Sequence, residues 1–184
     1  MKMLKKLLAV VLTGAMALTL LTACGGNAVG NAVTDKDIAD AMTDLAQAQG
    51  QNTNVTFTPR AEEREIARKL APLLESGNIN DYKMQQILGY DQGGVNENNF
   101  VWVNTVFTDE LGTSGQAYRL MNSVLAPSWA KNSSNLIGKM PADIRYMGTA
   151  LCKGTDKNGN LVTMRLIVVT APVKGQESQN PGKA

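Results

Sequence analysis

Residues 144–170, IRYMGTALCKGTDKNGNLVTMRLIVVT, decide the fold. Two β-prone arms, Ile144 to Lys153 and Leu161 to Thr170, flank a polar turn. Asn158-Gly159 in that turn suits positive φ, so the stretch predicts a β-hairpin. In the first arm Ile144, Tyr146, Gly148, Ala150 and Cys152 alternate onto one face. In the second arm Leu166 to Val169 is continuously apolar. That pattern predicts a central strand covered on both sides.

Working outward, Phe100 to Phe107 (FVWVNTVF) is β-branched and aromatic and predicts another buried strand. Gly115 to Leu125 predicts a helix with Tyr118, Met121 and Leu125 facing inward. The irregular segment Pro127 to Ile137 follows, with Trp129 as its expected anchor. Upstream, Tyr82 to Leu88 predicts a short helix stopped by Gly89, and 91–99 a loop. Thr58-Pro59 offers an N-cap and a first-turn proline for a helix with Ile66, Leu70, Leu73 and Leu74 as its stripe. Pro72 should kink that helix, and Gly77-Asn78 should end it. Asp35 to Gln49 predicts a helix capped by Thr34, with Ile38, Met42 and Leu45 on one side; it docks on the domain or merely lengthens a stalk. From Ala171 onward Pro, Lys, Gln, Ser and Gly dominate, which reads as a disordered tail. Helices first and an antiparallel hairpin last argue an α+β fold.

The N-terminus reads as a signal. Lys2, Lys5 and Lys6 precede an apolar run, Leu7 to Leu21, that is too short to span a bilayer core of about 30 Å comfortably. Small residues and a cysteine close it. Leu21-Thr22-Ala23-Cys24 resembles the lipobox of bacterial lipoproteins. The resemblance implies diacylglyceryl modification of the Cys24 thiol and cleavage before it. Two acyl chains anchor stably, since each buried CH₂ adds about 0.8 kcal/mol. Gly25 to Thr34 is Gly/Asn/Ala-rich and reads as a tether reaching roughly 17 Å. The expected organisation is a signal peptide over 1–23, a tether over 24–56, a domain over 57–170 and a tail over 171–184.

The formal net charge of +2 is misleading. Without the three signal lysines, 15 basic residues face 16 acidic ones. No clustered basic face suggests a nucleic-acid partner. With Cys24 lipid-modified, Cys152 has no disulfide partner, and its apolar setting predicts a buried, inert thiol. The chain contains no histidine. Histidine-based metal sites and Ser-His or Cys-His catalysis are therefore excluded.

Several segments in order resemble the cysteine-rich secretory, antigen 5 and pathogenesis-related (CAP) superfamily. A helix over 62–75 precedes a short helix ending in Gly89-Tyr90. Asn96-Glu97-Asn98 stands where the family has Gly-Glu-Asn, and Leu120-Met121-Asn122-Ser123 where it has Trp-Met-x-Ser. Asn132-Ser133-Ser134-Asn135-Leu136-Ile137 replaces a His-Arg-x-Asn-Ile-Leu motif, and residues 144–170 match the final hairpin. The resemblance implies an α-β-α sandwich with a small antiparallel sheet and the hairpin at its centre. It also implies a cavity holding two histidines and two acidic residues, of which only Glu97 carries over. The chain would be a degenerate member, with Glu97, Asn98, Trp129, Asn132 and Asn135 as candidate cavity residues and neither metal nor cofactor expected.

Other motifs weaken on inspection. Asp156-x-Asn158-x-Asn160 starts like a calcium loop, but Leu161 and Ile167 occupy the positions needing Gly and an acidic ligand. Ser128-x-x-Lys131 lacks the partner motifs of penicillin-recognising enzymes. Glu97 and Glu110 offer a carboxylate pair for glycoside cleavage, against the plainer reading of two solvated side chains. Trp102 reads as core; Trp129 reads equally as anchor or stacking platform. The expected function is an extracytoplasmic lipoprotein on the membrane, carrying a non-catalytic module that binds an envelope protein or cell-wall ligand. The alternatives are an envelope glycan or peptide hydrolase using Glu97, and a purely structural surface lipoprotein.

Overall fold

The computed structural model describes residues 32–49, 54–88, 99–108, 111–121, 136 and 138–176. In chain order the elements are α1 (Asp35–Ala48), β1 (Thr56–Pro59), α2 (Ala61–Glu75), α3 (Asp81–Leu88), β2 (Asn99–Phe107), α4 (Thr113–Met121), β3 (Ile144–Thr155) and β4 (Leu161–Pro172). The fold is α+β, a single sheet with helices on both faces.

The hairpin β3–β4 forms as its sequence requires. Gly159 closes the turn at φ +85°, and Asp156 Oδ1 accepts the amides of Asn158 and Asn160. The sheet order is β1-β3-β4-β2, so β4 is interior. Its side chains alternate between two cores. Ile167, Val169 and Ala171 meet Phe100, Trp102 and Met147 and are covered by Ile38 and Met42 of α1 and Leu120 and Met121 of α4. Leu166 and Val168 meet Val101 and Cys152 and are covered by Ile66, Ala67 and Leu70 of α2 and Leu88 of α3.

The sheet is mixed rather than wholly antiparallel, because β1 pairs with β3 in parallel, Thr56 opposite Ile144 through Pro59 opposite Met147. This pairing also corrects the helix start. Thr58 and Pro59 end β1, and Arg60, in extended conformation, is the N-cap of α2. Proline suits the end of an edge strand, where a missing amide costs little. Arg60 makes no side-chain cap bond; its guanidinium pairs with Glu63, while its amide donates to the Met147 carbonyl at 2.8 Å. Glu63 is fully buried and also accepts the Thr170 hydroxyl, which fixes the first turn of α2 to β4. Gly148 makes this close approach feasible: a Cβ there would lie 2.1 Å from the Arg64 nitrogen.

Three further expectations are revised. α1 docks: Ile38, Ala39, Met42 and Ala46 are buried, so the packed unit begins at α1 and not at residue 57. Its start is a full capping box between Thr34 and Asp37. α4 begins two residues earlier than expected, and its buried stripe is Gln116, Ala117, Leu120 and Met121; Met121 faces inward as expected, Tyr118 is 53% exposed, and Leu125 lies outside the described residues. The strand continues past Thr170: Ala171 and Pro172 pair with Phe100 and Asn99, and Val173 bridges to Pro141, so disorder does not begin at Ala171.

Candidate functional site

β1 is four residues long and β3 twelve. Beyond Met147, therefore, the outer edge of β3 has no strand beside it among the described residues. The Met147 carbonyl faces that edge, where it accepts the Arg60 amide, and the Lys153 amide faces it too, donating to Glu75 Oε1 at 2.7 Å. Strand groups alternate in direction, so the amides and carbonyls of Thr149 and Leu151 also face outward. Leu151 is 42% exposed.

A cleft of about 540 Å³ lies along this free edge, lined by Val33, Thr34 and Asp35, by Arg64 and Arg68, by Thr149, Ala150 and Leu151, and by Arg165. Three arginines thus face one aspartate. Arg64 and Arg68 come from α2, Arg165 from β4 and Asp35 from α1. Arg165 shares its sheet face with Ile167 and Val169, which buries it under α1 and α4. Its nitrogens donate to Gln116 Oε1 at 2.9 Å, Thr149 Oγ1 at 2.8 Å and the Val33 carbonyl at 2.7 Å. The Thr149 hydroxyl passes the chain on to Asp35 Oδ1, and Asp35 Oδ2 accepts Arg64 Nε at 2.7 Å. Asp35 thereby ties the first turn of α1 to α2 across the edge of the sheet.

Burial pushes the Arg165 pKa down, against the pull of Asp35 and Asp37. The hydroxyl and amide of Thr34 hold the Asp37 carboxyl below its ordinary range. Arg64 and Arg68 are less constrained. Arg64 spends only Nε on Asp35, and Arg68 spends one terminal nitrogen on Glu65 at 2.6 Å. Among the described residues the two terminal nitrogens of Arg64 have no protein partner, which leaves the planar fork that matches a carboxylate or phosphate. A smaller pocket of about 150 Å³ lies toward the β2 edge of the sheet, between Phe107, Arg119 and Met164.

Of the residues singled out in the sequence, Cys24, Glu97, Asn98, Glu110, Ser128, Trp129, Lys131, Asn132 and Asn135 lie outside the described residues. Trp102 is core, stacked on Phe100 at 6.0 Å, with the Arg145 guanidinium over its ring at 4.7 Å. Burial lowers the Arg145 pKa to about 10, against Asp143. Cys152 is buried, and burial, aided by Glu75, pushes its thiol up, away from reactivity. Asp156, Asn158 and Asn160 form the hairpin turn, with the Asp156 carboxylate used up by Asn158 and Asn160. Among the described residues no cluster of His, Cys, Asp or Glu is arranged to hold a metal ion, and no helix is long and apolar enough to cross a membrane.

Sequence reasoning missed Arg165, Thr149 and Asp35. Parity within LVTMRLIVVT was a usable signal for Arg165, since it places this arginine with Ile167 and Val169 on a covered face. Arg64 and Arg68, four apart on α2, would repel each other on an isolated helix; the structure gives each a carboxylate. No family model, no curated protein and no solved structure matches this chain.

Proposed function

We propose that this chain is an extracytoplasmic lipoprotein, held at the membrane by diacylglyceryl Cys24, whose domain is a degenerate CAP-like binding module using the cleft at the free edge of β3. The observation that carries the reading is the position of the cleft. Val33 and Thr34, the end of the tether, form one of its walls. Eight residues lead from Cys24 to Ala32, a reach of roughly 16 Å for a flexible chain, so the anchor holds the cleft close to the membrane surface. The three-layer arrangement with β4, the second arm of the hairpin, interior to the sheet supports the CAP resemblance. The chemistry of the cleft suits an anion: an open arginine fork over a floor whose hydroxyl and buried guanidinium are already fixed.

Two measurements test this. The intact mass of the chain extracted from membranes should begin at Cys24 and carry acyl chains, and Cys24→Ala should be released from the membrane; an unmodified, untruncated mass contradicts the anchor. Thermal unfolding in citrate tests the cleft. A ligand at ten times its dissociation constant stabilises by about 1.4 kcal/mol, a rise in Tm of about 3–6 °C for a domain of this size. The rise should vanish in Arg64→Gln; an equal rise in that variant contradicts the site.

A further inference from the structure

We propose that the ligand of this cleft is a phosphate monoester, its terminal phosphate held between the guanidinium groups of Arg64 and Arg68. The proposal rests on the cleft being the ligand site and adds the class of ligand.

The first argument is which donors remain for a ligand. The floor is spent: Arg165 gives its nitrogens to Gln116, Thr149 and the Val33 carbonyl, and the Thr149 hydroxyl goes to Asp35. Asp35 in turn accepts Nε of Arg64 and fixes that guanidinium, whose two terminal nitrogens have no acceptor among the described residues. Arg68 gives one terminal nitrogen to Glu65, and its Nε and other terminal nitrogen are likewise without an acceptor among the described residues. The Arg68 and Glu65 side chains are 62% and 58% exposed, and an ion pair so placed contributes about 0–1 kcal/mol. A more highly charged anion can displace Glu65. The open donors therefore belong to two guanidinium groups rather than one.

The second argument is spacing and charge. Arg64 and Arg68 stand four residues apart on α2 and line the same cleft, and helix neighbours of this kind have Cβ atoms about 5–6 Å apart. A carboxylate offers two coplanar oxygens, which one fork satisfies. A phosphate monoester offers three terminal oxygens and a charge of about −1.5 to −2 at pH 7, enough to engage both forks. Asp35 does not cancel this preference, because the buried Arg165 guanidinium faces it through Thr149. The cleft, at about 540 Å³, also has room for the body of the ester, with Ala150 and the exposed Leu151 as an apolar wall. The same monoester chemistry is available from a lipid headgroup at the anchoring surface and from a solute.

The test uses the mature chain in neutral detergent micelles, titrated calorimetrically with sn-glycerol 3-phosphate and with its methyl diester, which blocks one terminal oxygen and removes one charge. The monoester should bind at least tenfold more tightly. Arg68→Gln should weaken the monoester at least tenfold, leave the diester unchanged and keep the unliganded Tm of the parent; Arg64→Gln should weaken both esters. The source is read on the chain anchored in phosphatidylcholine vesicles with and without phosphatidic acid, with unfolding followed by tryptophan fluorescence. A rise in Tm with phosphatidic acid that Arg68→Gln abolishes upholds the site and assigns it to lipid; binding of the soluble monoester without that rise upholds it and assigns it to a solute. Equal binding of the two esters, an Arg68→Gln variant that binds the monoester as the parent does, or no binding of either monoester overturns the proposal. If citrate raises Tm through Arg64 and the two esters bind alike, the anion site stands and the phosphate inference alone falls.

Discussion

Replacing Gly148 with alanine should be among the most damaging single-methyl changes in this molecule. On an ordinary strand the exchange would help, since glycine costs about 0.5–1 kcal/mol relative to alanine in an element interior. Here the added Cβ would lie 2.1 Å from Arg64 N, 2.5 Å from Arg64 Cα and 2.6 Å from Glu63 C. All three atoms are helix backbone, so no rotamer change relieves the contact. Ordinary contact begins at 3.4 Å, and α2 would have to retreat by about 1.3 Å. Retreat pulls the buried Glu63 from Thr170 and Arg64 from Asp35. Overpacking alone costs about 1–3 kcal/mol, and a weakened buried carboxylate contact adds to it. A loss of about 3–4 kcal/mol is expected, a fall in Tm of roughly 6–16 °C. The internal control is Gly154→Ala, whose Cβ would meet the Met164 methyl at 2.2 Å, the far end of a flexible side chain. It should cost under about 1 kcal/mol. Differential scanning calorimetry on both variants decides. A Gly148→Ala variant within about 2 °C of the parent, or no worse than Gly154→Ala, refutes the close packing of α2 on β3.

Thr34→Ala removes the N-cap of α1 and should cost about 1 kcal/mol in urea unfolding with an unchanged m-value. The Asp37 carboxyl, held below its ordinary 3.8 by Thr34, contributes stability that is complete above that value and is lost as pH falls through the lowered folded value; Asp37→Asn should flatten the acid limb of the stability curve below about pH 4. Thr170→Val takes the hydroxyl donor from buried Glu63 and should cost about 1.5–3 kcal/mol by thermal unfolding, whereas Thr163→Val, at a half-buried site, should cost under about 1 kcal/mol. The Cys152 thiol should react with a thiol reagent only at the rate of unfolding, and fast labelling of the folded chain would contradict its burial.

The parts of the fold legible in the sequence were those fixed by local chemistry. Asn158-Gly159 and the alternation around it define a hairpin without outside help, and Leu166 to Val169 declares its own covering on both faces. Thr34 and Asp37 close the capping box that starts α1. What escaped was set at long range. Thr58-Pro59 has the chemistry of a helix start, and only the pairing with Tyr146 and Met147 makes it a strand end. Tyr118 and Met121 are three apart and share a stripe by spacing alone; only the packing of α4 turns Ala117, Leu120 and Met121 inward and leaves Tyr118 out. The cleft was least legible, because Asp35, Arg64, Thr149 and Arg165 are joined across separations of 16 to 114 residues. Nothing local marks Asp35 as more than a first-turn acid, or Arg64 as more than a surface charge.

The cleft as the ligand site is tested most directly by the change in Tm on adding citrate, read side by side on the parent chain and on Arg64→Gln. The parent should rise by about 3–6 °C at ten times the dissociation constant, and the variant should not move. An unmoved parent, or an equal rise in the variant, would contradict the account.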